Sequence, residues 1–125
     1  MSPTRLTDEE RLLRSIPEKH LATDVAREAK RWHWLRYHTF RADRSPAGYP
    51  DECLVKGQRL VFAELKRHTE SPTLPQVEWL DMLSLIGDPV EVYLWRPEDL
   101  ISGEISRILA IGPSGRDVSR WVVGR

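Results

Sequence analysis

A chain of 125 residues, 40% hydrophobic and 30% charged, holds enough material for one core and too little for two, which excludes a multidomain reading. Lys+Arg and Asp+Glu number 19 each, so the net charge of zero excludes a histone-like binder held to nucleic acid by bulk charge, and any polyanion site must be local. A single cysteine, Cys53, excludes an internal disulfide and points to a reducing compartment.

No apolar run approaches the ~18 residues of a membrane span, and the Asp8-Glu9-Glu10 cluster is unlike a signal peptide. The expectation is a cytoplasmic protein with no membrane partner. Residues 1–14 are polar and mixed in charge and read as an N-terminal arm or a short frayed helix. Ser15 then caps a first helix running to about Arg31, with Leu21, Ala22, Val25 and Ala29 on one stripe beneath Glu18. Residues 34–40, aromatic and branched, predict a strand, and Arg41 to Gly48 a loop. Asp51 to Val55, a turn at 56–59, and Leu60 to Lys66 predict a β-hairpin. Thr73 opens a second helix that ends at Gly87, and Val90 to Trp95 alternates as a strand. Pro97 begins a third helix, interrupted by Gly103, before Gly112-Pro113-Ser114-Gly115 breaks the pattern. The predicted order is α-β-β-β-α-β-α: an α/β fold with a central mixed sheet flanked by helices over residues 15–111, followed by a tail at 112–125.

Charge is uneven along this chain. Residues 1–45 carry 10 basic and 7 acidic side chains, leaving 9 and 12 for the remainder. Arg27, Lys30, Arg31, Arg36, Arg41 and Arg44 face only Glu28 and Asp43, and they interleave with Trp32, Trp34, Tyr37, Phe40, His33 and His38. That mixture suits phosphate contacts beside stacked bases. It equally suits an ordinary solvated helix face and strand.

The hairpin carries the most informative arrangement. Alternate strand residues share a face, so Glu64 and Lys66 project to the same side. Closing the hairpin at 56–59 sets Val55 opposite Leu60 and Asp51 opposite Glu64, with the two acidic Cβ atoms ~5 Å apart. Like charges directly opposite destabilise a hairpin, and a divalent cation removes the objection: two carboxylates, waters and a phosphate are a ligand set that Mg²⁺ or Mn²⁺ favours.

Pro50-Asp51 followed by Glu64-Leu65-Lys66, within Ser45-Pro46-Ala47-Gly48-Tyr49-Pro50-Asp51, resembles the motif of the VRR-NUC domains of the PD-(D/E)XK nuclease superfamily. Gln76-Val77-Glu78-Trp79-Leu80 resembles that family's Q-x-x-W-L helix, and Val92-Tyr93-Leu94-Trp95-Arg96-Pro97 its following strand. Glu18 has the spacing of the family's first-helix glutamate, and His33 stands where a glycine commonly precedes the tryptophan. The resemblance spans roughly residues 16–109. It implies a restriction-endonuclease-like core, metal-dependent hydrolysis of DNA phosphodiesters and a homodimer, with the tail around Trp121 a candidate dimer element. Stand-alone members suggest four-way junction or flap cleavage in phage or mobile-element DNA.

On that reading Asp51, Glu64 and Glu18 bind Mg²⁺ or Mn²⁺ with the Leu65 carbonyl as a further ligand, and Lys66 positions the attacking water and offsets transition-state charge. Gln76 shares a stripe with Trp79, Leu80 and Leu83 and orients Glu64, Lys66 or a phosphate. Arg41, Arg44, Ser45, Lys30, Arg36 and His38 are the candidate nucleic-acid contacts. Plainer roles compete with these. Glu64 and Lys66 also fit a solvent-facing ion pair, Glu18 fits a capping box with Ser15, and Gln76 one with Thr73. A different class of function, a catalytically silent nucleic-acid-binding module of the same fold, uses the basic stretch without hydrolysis.

Overall fold

The computed structural model describes residues 5–39 and 46–113. Helices α1 (Asp8–Ser15) and α2 (Glu18–Arg31) lead into strands β1 (Leu35–His38), β2 (Glu52–Lys56) and β3 (Arg59–Leu65). Helix α3 (Leu74–Ile86), strand β4 (Val90–Trp95) and the short helices α4 (Pro97–Ile101) and α5 (Glu104–Ala110) follow. The α/β architecture with a mixed sheet is as expected: the strand order is β1-β2-β3-β4, antiparallel from β1 to β3 and parallel between β3 and β4.

The segment before residue 15 is more ordered than an arm. Thr7 caps α1 by accepting from the Glu10 N–H, three acidic residues occupy its first turn, and Leu13 is buried. This displaces the expected cap of the next helix. Ser15 ends α1, with its hydroxyl donating to the Leu12 carbonyl, and Pro17 stands at the N-cap of α2 without a side-chain hydrogen bond. Glu18 is therefore not held in a capping box with Ser15. At the other end of α2, His33 adopts φ +66°, a left-handed turn that brings the Trp34 N–H onto the Ala29 carbonyl at 2.8 Å. A glycine reaches that conformation without strain, which explains in physical terms why one suits the position.

The hairpin register agrees with the sequence reading. Val55 pairs with Leu60, and every β2–β3 pair down to Glu52 with Ala63 keeps that register. The turn is tighter than four residues, because Lys56 and Arg59 themselves pair and Gly57, at φ +58°, makes the reversal. Helix three is two helices: Gly103, at φ +83°, breaks α4 and stands at the N-cap of α5.

Two apolar layers sandwich the sheet. On one face Leu54, Val61, Ala63, Leu65, Tyr93 and Trp95 bury against Leu21, Val25 and Ala29 of α2 and Ile105, Ile108 and Leu109 of α5. On the other, Val92 and Leu94 pack under Val77 and Leu80 of α3. Trp34 belongs to the first layer, with its indole N–H on the Leu109 carbonyl at 2.9 Å and the Arg59 guanidinium 4.8 Å above its ring. Trp32 is half-buried and donates to Glu28 and Ser106. Both tryptophans are thus packing residues, not open stacking platforms. No helix among the described residues is long and apolar enough to cross a membrane.

Candidate active site

Asp51 stands one residue before β2 and is pinned from both sides. On the β1 side the Thr39 N–H donates to the Asp51 carbonyl at 2.9 Å and the Thr39 hydroxyl to the Pro50 carbonyl at 2.9 Å. On the β3 side the Leu65 N–H donates to Asp51 Oδ2 at 2.8 Å. Continuing the β2–β3 register by one pair sets Asp51 opposite Glu64, as the sequence predicts. Leu65 thus presents its N–H to the site, while its side chain is fully buried in the α2 layer.

The loop ahead of Asp51 is held by close packing on α3. Gly48 lies at φ +89°, where an added Cβ would come within 2.4 Å of the Pro75 carbonyl carbon and oxygen and 2.8 Å of the Gln76 nitrogen. Only glycine lets this backbone approach the first turn of α3 so closely. The Trp79 indole N–H donates to the Ala47 carbonyl at 3.2 Å, and the Tyr49 ring sits edge-on to Trp79 and Phe62.

Glu64 is only 2% exposed and Lys66 only 6%, which removes the plain reading of a solvent-facing ion pair. Gln76 Nε2 donates to Glu64 Oε1 at 2.9 Å, while Glu64 Oε2 is buried with no hydrogen-bond partner. Burial above all pushes the Glu64 carboxyl up to about 9; the charge of Asp51 and the contact with its carboxyl add to the rise, and Lys66 pulls the other way. Glu18, at the start of α2, is also raised, first by burial and then by Asp51, with Lys66 again opposing. The fold therefore brings Glu18, Asp51, Glu64, Lys66 and Gln76 into one electrostatic neighbourhood from four elements. Among the described residues no group of three or more His, Cys, Asp and Glu side chains is arranged to hold a metal ion. The centre is a pair of close acids, with Glu18 coupled to them through charge.

Gln76 has both of the roles open to it. Its Oε1 accepts from the Thr73 N–H at 2.8 Å while Thr73 Oγ1 accepts from the Gln76 N–H, a complete capping box, and the same amide reaches Glu64 through Nε2.

The nucleic-acid candidates divide. Arg36 and His38 line a groove of about 510 Å³ between α2 and β1, together with Glu18, Lys19 and Thr23. Both also grip Glu52: Arg36 Nε and Nη2 donate to its two oxygens at 2.6 and 2.9 Å, and His38 Nδ1 contacts Oε2. Lys30 is exposed near the far end of α2, twelve residues and ~18 Å along the helix from Glu18, and does not join the site. Arg41, Arg44 and Ser45 lie outside the described residues, as does Trp121 of the tail.

Glu52 is the residue that sequence reasoning missed. It is fully buried beside Asp51 but on the opposite sheet face. A signal existed, since alternation places Glu52 with inward-facing Leu54, a position where an acid requires a cationic partner. Its partners come from β1, whose register with β2 had no local marker. Set against protein-family models, curated proteins and solved structures, the chain has no match in any of the three.

Proposed function

We propose that this chain is a Mg²⁺- or Mn²⁺-dependent endonuclease that hydrolyses DNA phosphodiester bonds, with the restriction-endonuclease-like core that its VRR-NUC-like motif implies. The observation that supports this most is the buried, unpartnered Glu64 Oε2 beside Asp51. A buried carboxylate oxygen without a donor is costly, and two ionised acids in contact repel; without metal a proton on Glu64 relieves both costs, and a hard divalent cation would take that proton's place with the ligand type it prefers. These residues therefore fit such an ion: Asp51 and Glu64 would hold it, with the Leu65 carbonyl as the further ligand that the motif implies and Glu18 as a third acid coupled to them through charge. When bound, the ion supplies Lewis acidity and an activated water.

The protein's own groups carry the remainder of the mechanism. Gln76 fixes the Glu64 carboxylate plane through its 2.9 Å hydrogen bond. Lys66, nearly buried on the Glu64 face, holds a mobile point charge against the phosphoryl oxygens as negative charge accumulates, and orients the attacking water. The homodimer that the resemblance implies belongs to this reading, and Met82, Leu85 and Ile86 on α3 are exposed apolar side chains that a second copy would cover.

The test is a Mn²⁺-supported cleavage panel of duplex, single-stranded, flap and four-way DNA, comparing the wild-type protein with Asp51→Ala and Lys66→Ala. Cleavage of at least one substrate, abolished in both variants with the fold retained, is expected. Cleavage that survives Lys66→Ala overturns the assignment. DNA binding equally strong in EDTA and Mg²⁺ with no hydrolysis would replace it by the silent binding module.

A further inference from the structure

A second cationic hollow lies beyond the acidic centre, where the turn after β3 passes under the end of α1. Arg67 Nη2 donates to the Arg14 carbonyl at 2.8 Å, tying the two segments together across 53 residues of chain. Arg96 Nη1 donates to the carbonyls of Arg67 and Glu70 at 3.2 and 2.8 Å and fixes both ends of the turn. The His68 ring is held from behind by Glu98. What remains is a hollow of about 290 Å³ lined by Arg14, Arg67, His68, Thr69 and Glu70. Among the described residues the Arg14 guanidinium has no ion pair or hydrogen bond, and the Arg67 side chain bonds only the Arg14 carbonyl. The hollow adjoins the acidic centre: Arg67 follows Lys66 directly, and the Glu70 carboxylate is close enough to raise the pKa of Glu18.

We infer that this hollow is a second phosphate subsite, in which Arg14 and Arg67 hold a phosphodiester of the strand whose neighbouring linkage lies at Asp51 and Glu64. The inference rests on the proposed reading of that centre and extends it to the path of the substrate. Guanidinium forks match tetrahedral oxyanions in geometry, and Thr69 adds a neutral donor. Glu70, whose Oε1 accepts from the Arg67 N–H at 3.4 Å, decides what kind of anion enters. With Glu70 lining the hollow and Glu18 coupled to it through charge, a free monoanion gains little from two arginines. A phosphate already tethered to a bound strand arrives at high effective concentration and overcomes that local repulsion.

The test uses the full chain and a defined DNA duplex. Binding is measured by fluorescence anisotropy in EDTA across a salt series, for wild type, Arg14→Ala, Arg67→Ala and the control Arg107→Ala, which alters a partly exposed arginine paired with Glu104 on α5. Each of the first two variants is expected to weaken binding about five- to tenfold and to lower the log–log salt slope by about one, while the control leaves both unchanged. In Mn²⁺, a neutral methylphosphonate placed next to the cleaved linkage should slow wild-type hydrolysis and leave Arg67→Ala indifferent to the replacement. Hydrolysis by a protein whose affinity and salt slope ignore both substitutions overturns the subsite and spares the nuclease reading. Arginine-dependent binding without any hydrolysis does the reverse, and a wild-type protein that binds no DNA overturns both.

Discussion

Gln76 and Glu64 are joined at 2.9 Å, amide nitrogen to carboxylate oxygen, and the same amide closes the N-terminus of α3 through Thr73. The helix end and the acidic centre are therefore one hydrogen-bonded unit, and the cap that starts α3 also aims Glu64.

Replacing Gln76 by Leu removes both contacts, while Thr73→Ala removes only the cap. Each is expected to lower stability by about 1 kcal/mol, the usual worth of a cap. Only Gln76→Leu should also reduce Mn²⁺-supported cleavage, by more than about tenfold. Thermal melts paired with single-turnover rates separate the two effects.

The raised Glu64 pKa predicts how stability depends on pH in metal-free buffer. Folding lifts this carboxyl from 4.5 to about 9, so over that window the folded protein holds a proton that the unfolded chain has released. Raising the pH therefore favours unfolding: the contribution is complete below about 4.5 and is lost as the pH climbs through about 9, with a slope no steeper than ~1.4 kcal/mol per pH unit. Urea titrations between pH 5 and 9 should show this decline, and Glu64→Gln should flatten it. Added Mn²⁺ should raise the melting temperature more at pH 8 than at pH 6, because only the ionised pair binds it.

Glu52 is expected to matter for stability more than any other acid. Glu52→Ala leaves Arg36 without its counterion and His38 without its hydrogen-bond partner around a buried void, at a cost of about 3 kcal/mol. Glu52→Gln keeps the shape and should cost less. Chemical denaturation reads both, and a loss below about 1 kcal/mol for the alanine variant would show the cluster to be dispensable.

Gly48→Ala tests the seat of the loop ahead of Asp51. The new methyl group meets the Pro75 carbonyl at 2.4 Å and must adopt a φ of +89° that side chains avoid. The loop has to lift from α3, so a loss of at least ~2 kcal/mol is expected together with lower activity, since the loop leads directly into Asp51. An unchanged melt and rate would mean that the contact is not required.

What the amino-acid order determined by itself is whatever depends on near neighbours. Period-two alternation put Glu64 and Lys66 on one face, and a short glycine-containing turn set the register that brings Asp51 opposite Glu64. The stripe of Leu21, Val25 and Ala29 marked the buried side of α2, and Thr73 marked its own cap. The tertiary structure alone decided the rest. Ser15 looked like the cap of α2 until Thr7 nucleated a separate helix before it. Arg36 and His38 read as nucleic-acid contacts until β1 paired with β2 and delivered them to Glu52, and Arg14 met Arg67 only through the turn after β3. The difference is physical: turns, caps and face alternation are written within a few residues, whereas the partner of a buried charge is chosen by strand pairing and layer packing between segments far apart in the chain.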